Sequence, residues 1–251
     1  MGQKIYPNSN KKDFSFITPD HLNFMSNKTR AYGFRVQINT VVFNIVNTFI
    51  EKNNMILNSF RIEENPFFYG LYATYYEKGS LVVDFYLFVK LLCKYIEFFF
   101  LKKPIKIYLI SIKPTSNGKF FRSRGLKDIQ DVLQILDNFP LHKTLNFFIC
   151  AQLEKENHHQ KIIDTIFQQV KINFQFYTKV KGIKISIKGR VNGSDRSKTH
   201  LLELGSIPLN SFNANIFFNF QHVVTAFGVY GVKIYINYSN NFKNETSTKK
   251  Y

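Results

Sequence analysis

The chain has 251 residues, of which 45% are hydrophobic, enough for one large or two ordinary domains and too many for a wholly disordered protein. Its 34 lysines and arginines outnumber its 17 aspartates and glutamates, which gives a formal net charge of +17 at pH 7. This excess favours a polyanionic partner, with nucleic acid first and an anionic membrane surface second. The two cysteines, Cys93 and Cys150, lie in apolar runs, which argues against a disulfide framework and predicts buried, reduced thiols.

The first half of the chain predicts an N-terminal arm followed by an α+β unit. Residues 1–30 are polar and aperiodic, as in an extended arm, and the unit spans 31–112. Within the unit, apolar residues at helical spacing predict a helix over 36–50. Residues 56–76 predict one or two short strands, and the alternation in 105–112 predicts another.

The most apolar segment is LVVDFYLFVKLLCKYIEFFFL, residues 81–101. Its length suits a transmembrane helix, but it contains Asp84, Lys90, Lys94 and Glu97, and charges are costly in lipid. The last three of these residues follow helical spacing and form one polar stripe. We therefore predict a largely buried helix of a soluble domain.

The second half predicts an insertion and then a second α+β unit. The insertion spans 113–150, opens with the basic, turn-rich sequence KPTSNGKFFRSRGL and includes a short helix at about residues 126–137. The second unit spans 151–238, and residues 239–251 predict a flexible tail. In this unit we expect a long helix over 151–177, then strands from 182 and over 199–204, 214–222 and 228–237.

The sequence offers no support for a catalytic site or a metal site. His158 and His159 are expected on the polar side of a helix, and no second cluster of histidine or cysteine has ligand spacing. No nucleophile-elbow, Walker or dinucleotide-binding fingerprint occurs. We therefore expect no enzymatic activity, no catalytic residue, no metal site and no cofactor.

The densest basic segment lies between residues 179 and 200, where one acid, Asp195, stands among seven cations. A strand with alternating isoleucines places Lys184, Lys188 and Arg190 on its other face. Side chains two residues apart on such a face are about 6–7 Å apart, close to the spacing of successive phosphates of an RNA strand. The alternative is an ordinary solvated lysine face, and the net charge favours RNA contact. The seven cations are Lys179, Lys181, Lys184, Lys188, Arg190, Arg196 and Lys198.

Several motifs follow one another in the C-terminal quarter of the chain. They are K-G-I-K-x-x-x-x-G-R at 181–190, a basic glycine turn at 193–198, G-x-x-P-L at 205–209 and T-x-x-G-x-x-G-V-K-x-x-I at 225–236. Together with the N-terminal MGQKIYP, they resemble the ribosomal protein S3 family, a KH-domain protein of the small ribosomal subunit. The resemblance adds Lys4 and Lys233 to the candidate RNA contacts.

The resemblance implies an α+β fold in which a degenerate type II KH-like domain (31–112) precedes the α+β C-terminal domain of the family (151–238). The family's RNA-gripping G-x-x-G loop reads Tyr76-Glu77-Lys78-Gly79 here, so this unit is expected to pack rather than clamp RNA. The family's basic cluster on the helix before the C-terminal sheet reads Thr165, Ile166 and Gln169. Basic residues nearby or in the insertion are the remaining candidates for mRNA-entry or rRNA contacts: Lys119, Arg122, Arg124, Lys161 and Lys171.

The resemblance therefore implies a structural protein of the small-subunit head that binds small-subunit rRNA near the mRNA entry channel. Neighbouring head proteins are the other expected partners, mRNA is a further one, and no membrane is expected. A stand-alone RNA-binding or RNA-processing protein with a degenerate KH fold is the alternative, and a peripheral membrane protein is a third hypothesis. The bias toward Phe, Lys, Asn, Ile and Tyr and the polar N-terminus favour an organelle-encoded, mitochondrial protein over a plastid or bacterial cytoplasmic one.

Overall fold

The computed structural model describes residues 29–52, 55–64, 69–77, 94, 105–112, 127–155, 157–211 and 214–239. They belong to two separate units, within Phe14–Lys113 and within Pro114–Tyr251. Apart from Lys94 and a few terminal residues, the predicted arm, the 81–101 helix, the 113–126 loop and the tail lie outside the described residues.

The described residues of the first unit form a long helix and a three-stranded sheet. The helix packs through Val42, Val46 and Ile50 against the apolar residues of the two following strands, which pair as an antiparallel hairpin. The third strand runs parallel to the second and pairs with it, so the order in the sheet is the order in the chain. The predicted helix and strands are confirmed: α1 (Thr29–Lys52), β1 (Met55–Glu64), β2 (Tyr69–Glu77) and β3 (Ile105–Ile112).

The loop assigned to Tyr76-Glu77-Lys78-Gly79 is wrong for its first two residues, because both belong to strand β2. Tyr76 pairs with Ile56 on one side and Ile112 on the other, and these neighbours leave it buried. An aromatic residue enclosed by two strands gains more from burial than from a place in a loop. The KH character of this unit stays a prediction.

The second unit is a layer of helices on one face of a four-stranded antiparallel sheet. The helices are α2 (Lys127–Ile135), α3 (His142–Lys155) and α4 (His159–Phe174). The strands are β4 (Val180–Gly189), β5 (Lys198–Gly205), β6 (Asn215–Thr225) and β7 (Gly228–Tyr238). The sheet order is β5–β4–β7–β6, so β5 and β6 form its edges.

The sheet strands agree with the alternation in the sequence. Ile183, Ile185 and Ile187 of β4 pair with alternate residues of β7, and all of these side chains are fully buried beneath the helices. Burial of each isoleucine contributes about 1.5–3 kcal/mol to the free energy of unfolding. This shared apolar face fixes the register, because a slip of one residue would expose it to water.

The single helix predicted over 151–177 is wrong, since two helices, α3 and α4, cover this part of the chain. The imidazole of His159, at the start of α4, donates from Nε2 to the carbonyl oxygen of Leu153 at 3.0 Å, which satisfies a terminal carbonyl of α3. The proposed domain boundary at residue 151 falls inside α3. Leu145, Phe148 and Ile149 of that helix are buried in the second unit.

Cys150 is buried, as predicted, and its thiol donates to Asn146 Oδ1 at 3.6 Å. Burial, followed by the nearby charge of Glu154, raises the pKa of this thiol to about 12. A protonated, enclosed thiol is a poor nucleophile. Cys93 lies outside the described residues.

No helix in the described ranges is long and apolar enough to cross a membrane. The apolar segment 81–101 is not covered by this finding, because only Lys94 of it is described.

The carboxylate of Asp137 organises the turn that leads from α4 into the sheet. It accepts backbone N–H groups from Thr178, Lys179 and Val180 at 2.7–3.2 Å, and the Thr178 hydroxyl at 2.8 Å. Burial raises the pKa of Asp137, but the hydrogen bonds from Lys179, Thr178 and Val180 outweigh it and leave the pKa below 3.8. The ionised carboxylate therefore stabilises the start of β4.

We expect Asp137→Asn to lower the free energy of unfolding by about 1–2 kcal/mol at pH 7, since the carboxylate is only partly shielded from solvent. Because the folded-state pKa is depressed, this contribution is present above pH 3.8 and is lost as pH falls through the folded-state pKa. Urea unfolding of both proteins between pH 2 and 7 measures the difference. Exposed Asp195→Asn is the control, and an unchanged difference across this range would contradict the assignment.

Candidate nucleic-acid interface

Strand β4 carries the predicted cations on the face opposite its buried isoleucines. Lys184 and Lys188 alternate with these isoleucines, and Lys188 is exposed near the end of the strand. Arg190 lies just beyond the strand, which ends at Gly189. The three predicted cations therefore do not form one row on a strand, since the last one belongs to the following turn.

The turn after β4 is held by its own hydrogen bonds. Arg190 donates from Nε to the carbonyl oxygen of Ser194 at 2.8 Å, and the Ser194 hydroxyl donates to the carbonyl oxygen of Arg196 at 3.0 Å. Asn192 and Gly193 adopt positive φ angles of 52° and 76°, in the left-handed region that asparagine and glycine tolerate best. The turn presents Arg196 to solvent, close in sequence to the exposed Lys198 that opens β5.

Lys184 is less available to an anion than the sequence suggested. Its ammonium pairs with Glu203 of β5 at 2.6 Å, and its side chain is only 15% exposed. Sequence reasoning missed Glu203 because the two residues meet only through the β4–β5 register. The cations that face solvent at this end of the sheet define the basic edge: Lys188, Arg190, Arg196 and Lys198.

The remaining predicted RNA contacts of the sheet are dispersed. Lys181 is exposed on β4, and Lys179 is half-buried in the turn that Asp137 organises. Lys233 is exposed on β7, where its ammonium lies 5.3 Å from the ring centroid of Phe220. Lys4 lies outside the described residues.

Helix α4 carries no cluster of cations at the positions that align with the family's basic cluster. Ile166 is fully buried, and Gln169 accepts a hydrogen bond from Gln130 at 2.8 Å. Lys161 and Lys171 are exposed but ten residues apart, about 15 Å along the helix. The other candidates, Lys119, Arg122 and Arg124, lie outside the described residues.

His159 is a core residue, so its expected place on a polar helix face is wrong. It is 1% exposed, and its Nδ1 lies 2.8 Å from the hydroxyl oxygen of Tyr230, which in turn lies 3.0 Å from the carbonyl oxygen of Arg190. This chain of contacts joins α4, β7 and the turn of the basic edge. His158 is exposed as predicted, and the described residues hold no group of ligands suited to a metal ion.

The second unit is thus an α+β domain with helices on one sheet face and a basic edge at one end of the sheet. Residues 149–236 match the family model described as "Ribosomal protein S3, C-terminal domain". This span includes the end of α3, all of α4 and all but the last residues of the sheet.

Relatives extend the match beyond this domain. Small ribosomal subunit protein uS3 of Leptospira biflexa serovar Patoc is 30% identical over 163 residues, which cover 59% of this chain and 70% of the relative. The chain belongs to the ribosomal protein S3 family, and its second unit contains the C-terminal domain of that family. The family is one of ribosomal proteins, which confirms the prediction that the chain is not an enzyme.

Other relatives match over shorter spans. Small ribosomal subunit protein uS3 of Elm witches'-broom phytoplasma is 31% identical over 98 residues, 39% of this chain and 37% of the relative. Protein uS3c of Chlamydomonas moewusii is 33% identical over 84 residues, 34% of this chain and 10% of the relative. The matched region thus spans little more than a third of the phytoplasma relative.

Proposed function

We propose that the chain is a structural component of the head of the small ribosomal subunit and binds small-subunit rRNA through the basic edge. The observation that carries the proposal is the exposed basic edge within the domain that matches the family model. The turn hydrogen bonds hold the side chain of Arg190 and the backbone of Arg196 before RNA arrives, so less conformational entropy is lost on binding. The net charge of +17 adds long-range attraction to a polyanion.

The N-terminal arm with Lys4 is proposed as a second rRNA contact, and neighbouring head proteins as further partners. The position near the mRNA entry channel is also part of the proposal. Because α4 carries Thr165, Ile166 and Gln169 where the family has cations, contact with mRNA would fall to other residues. These are the remaining cations of the insertion and of α4: Lys119, Arg122, Arg124, Lys161 and Lys171.

Sedimentation of a lysate from the source cells tests the proposal. In a sucrose gradient with Mg²⁺ the chain is expected in the small-subunit and monosome fractions. After EDTA separates the subunits, it should move to the small-subunit fraction alone. Absence from the small-subunit peak under both conditions would refute the ribosomal role, and salt-sensitive binding to isolated RNA would then favour a stand-alone RNA-binding protein.

We further propose a mitochondrial location, supported by the compositional bias of the chain. The chain should then resist protease in intact mitochondria and become sensitive when both membranes are dissolved. Recovery with plastids, or with cytoplasmic ribosomes of a bacterium, would replace this assignment without affecting the proposed ribosomal role.

A further inference from the structure

No helix among the described residues covers one face of the sheet in the second unit, and this face is here called the open face. The strand register sets its side chains in rows that cross all four strands. One row joins Leu201, Ser186, Lys233 and Phe220, and it lies between two similar rows. The flanking rows are Glu203–Lys184–Tyr235–Phe218 and Thr199–Lys188–Gly231–His222.

Aromatic rings occupy the β6 side of the open face. Phe218, Phe220 and His222 alternate along β6, so the Cα atoms of neighbouring members are about 6.7 Å apart along the strand. The Phe218 ring lies 4.6 Å from that of Tyr235, and the Phe220 ring lies 4.5 Å from that of His222. Phe220 is 41% exposed, and His222 is exposed as well. Aromatic rings thus form one half of the open face, and those of Phe220 and His222 are exposed to solvent.

Cations occupy the two central strands beside these rings. Lys233 lies next to Phe220, and Lys188 lies in the row of His222, separated from it by Gly231. Gly231 leaves room for the Phe220 ring, since a Cβ there would be 3.3 Å from that ring. Among the described residues of the three rows, the one acid is Glu203, and it is paired with Lys184. The net charge of the three rows is therefore positive.

We propose that the open face binds a single-stranded RNA segment, with bases stacked on Phe220 and His222 and phosphates held by Lys188 and Lys233. Every base offers a flat π-surface, so such rings bind unpaired bases with little sequence preference. Bases inside a duplex are already stacked on one another and cannot reach the rings, whereas the basic edge needs only phosphates. The inference rests on the proposed function. It adds single-stranded RNA, bound at the open face, to the rRNA phosphates bound at the basic edge of the same domain.

An acidic protein is the competing occupant, because Leu201, Val224 and Val229 are also exposed on this face. RNA is favoured because the exposed rings of Phe220 and His222 share their rows with Lys233 and Lys188. A protein would instead bury the aliphatic side chains, and its binding would not depend on flat rings.

Binding of the full chain to two fluorescent probes tests the proposal. One probe is a 12-nucleotide oligouridylate, and the other is an RNA duplex of 12 base pairs. We expect Phe220→Leu and His222→Ala each to weaken oligouridylate binding about 10-fold, since stacking on one ring is lost. Duplex binding should change less than 2-fold. Lys233→Met should make the salt dependence for oligouridylate shallower by about 0.7 in log–log slope.

His158→Ala, an exposed change on the helical layer, is the matched control and should bind both probes as the unaltered chain does. Thermal unfolding verifies that the variants are folded, and His222→Ala keeps the test valid if Phe220→Leu loses stability. Unchanged oligouridylate affinity in both ring variants would overturn the proposal. An equal loss for both probes would also overturn it, because stacking on the rings predicts a difference.

Co-sedimentation with small subunits separates this inference from the proposed function. If the chain sediments with the subunit while both ring variants bind oligouridylate normally, the inference fails and the ribosomal role stands. If the chain binds oligouridylate through the rings but never enters the subunit peak, the inference stands and the ribosomal role fails.

Discussion

Replacing Gly205 with alanine is expected to lower the free energy of unfolding of the second unit by about 3 kcal/mol or more. Gly205 has a φ of 69°, and a Cβ there would lie 2.2 Å from the carbonyl oxygen of Lys181 and 2.8 Å from the ring of Phe174. It also faces Gly182 across the β4–β5 pair. The added methyl group therefore has to separate two paired strands and move a helix residue.

Gly193→Ala is the matched control, because its φ of 76° is similar but its nearest neighbour is the side chain of Phe227 at 3.1 Å. A side chain can rotate away, so the cost should be about 1 kcal/mol, from the backbone conformation alone. Calorimetry of both variants compares the two costs. Equal decreases in the free energy of unfolding would contradict the assignment, because they would show that the short distance from Gly205 to Lys181 adds no cost.

Reversing three charges of the basic edge is expected to weaken binding to small-subunit rRNA about 100-fold at 0.15 M salt. The variant Lys188→Glu/Arg196→Glu/Lys198→Glu keeps Arg190, whose side chain braces the turn. Three lost phosphate contacts should make the log–log salt dependence shallower by about 2.7, and reversed charges add repulsion. Filter binding with transcribed small-subunit rRNA at several salt concentrations measures both quantities.

Lys184→Gln is the control for this variant. Lys184 is paired with Glu203 and mostly shielded, so removing its charge should change affinity only a few-fold. A loss of affinity as large as that of the triple variant would show that RNA binds the face of strand β4 rather than the turn that follows it. Full affinity in the triple variant would show that the basic edge is only a solvated surface.

The alternation of apolar and polar residues was sufficient to predict the sheet of the second unit. Ile183, Ile185 and Ile187 predicted both the buried face and the cationic face of β4. The break between α3 and α4 was not predictable, because apolar residues continue at helical spacing on both sides of it. The break depends on His159, which enters the core through partners from α3 and β7.

The candidate interface was only partly predictable for a related reason. Arg196 and Lys198 were identified because charge density and turn residues are local features of the sequence. The pairing of Lys184 with Glu203 depends on strand register, as does the placing of Phe220 beside Lys233. Neither contact leaves a signal within a single segment of the sequence. The availability of Lys184 to RNA was therefore overestimated, and the aromatic rings of the open face were not predicted as a site.

A density map of the small ribosomal subunit that contains this chain would show directly what the basic edge contacts. We expect rRNA phosphates within ion-pair distance, about 4 Å or less, of Lys188, Arg196 and Lys198. A map in which the basic edge faces solvent or another protein, while rRNA contacts other surfaces of the chain, would contradict the proposed interface.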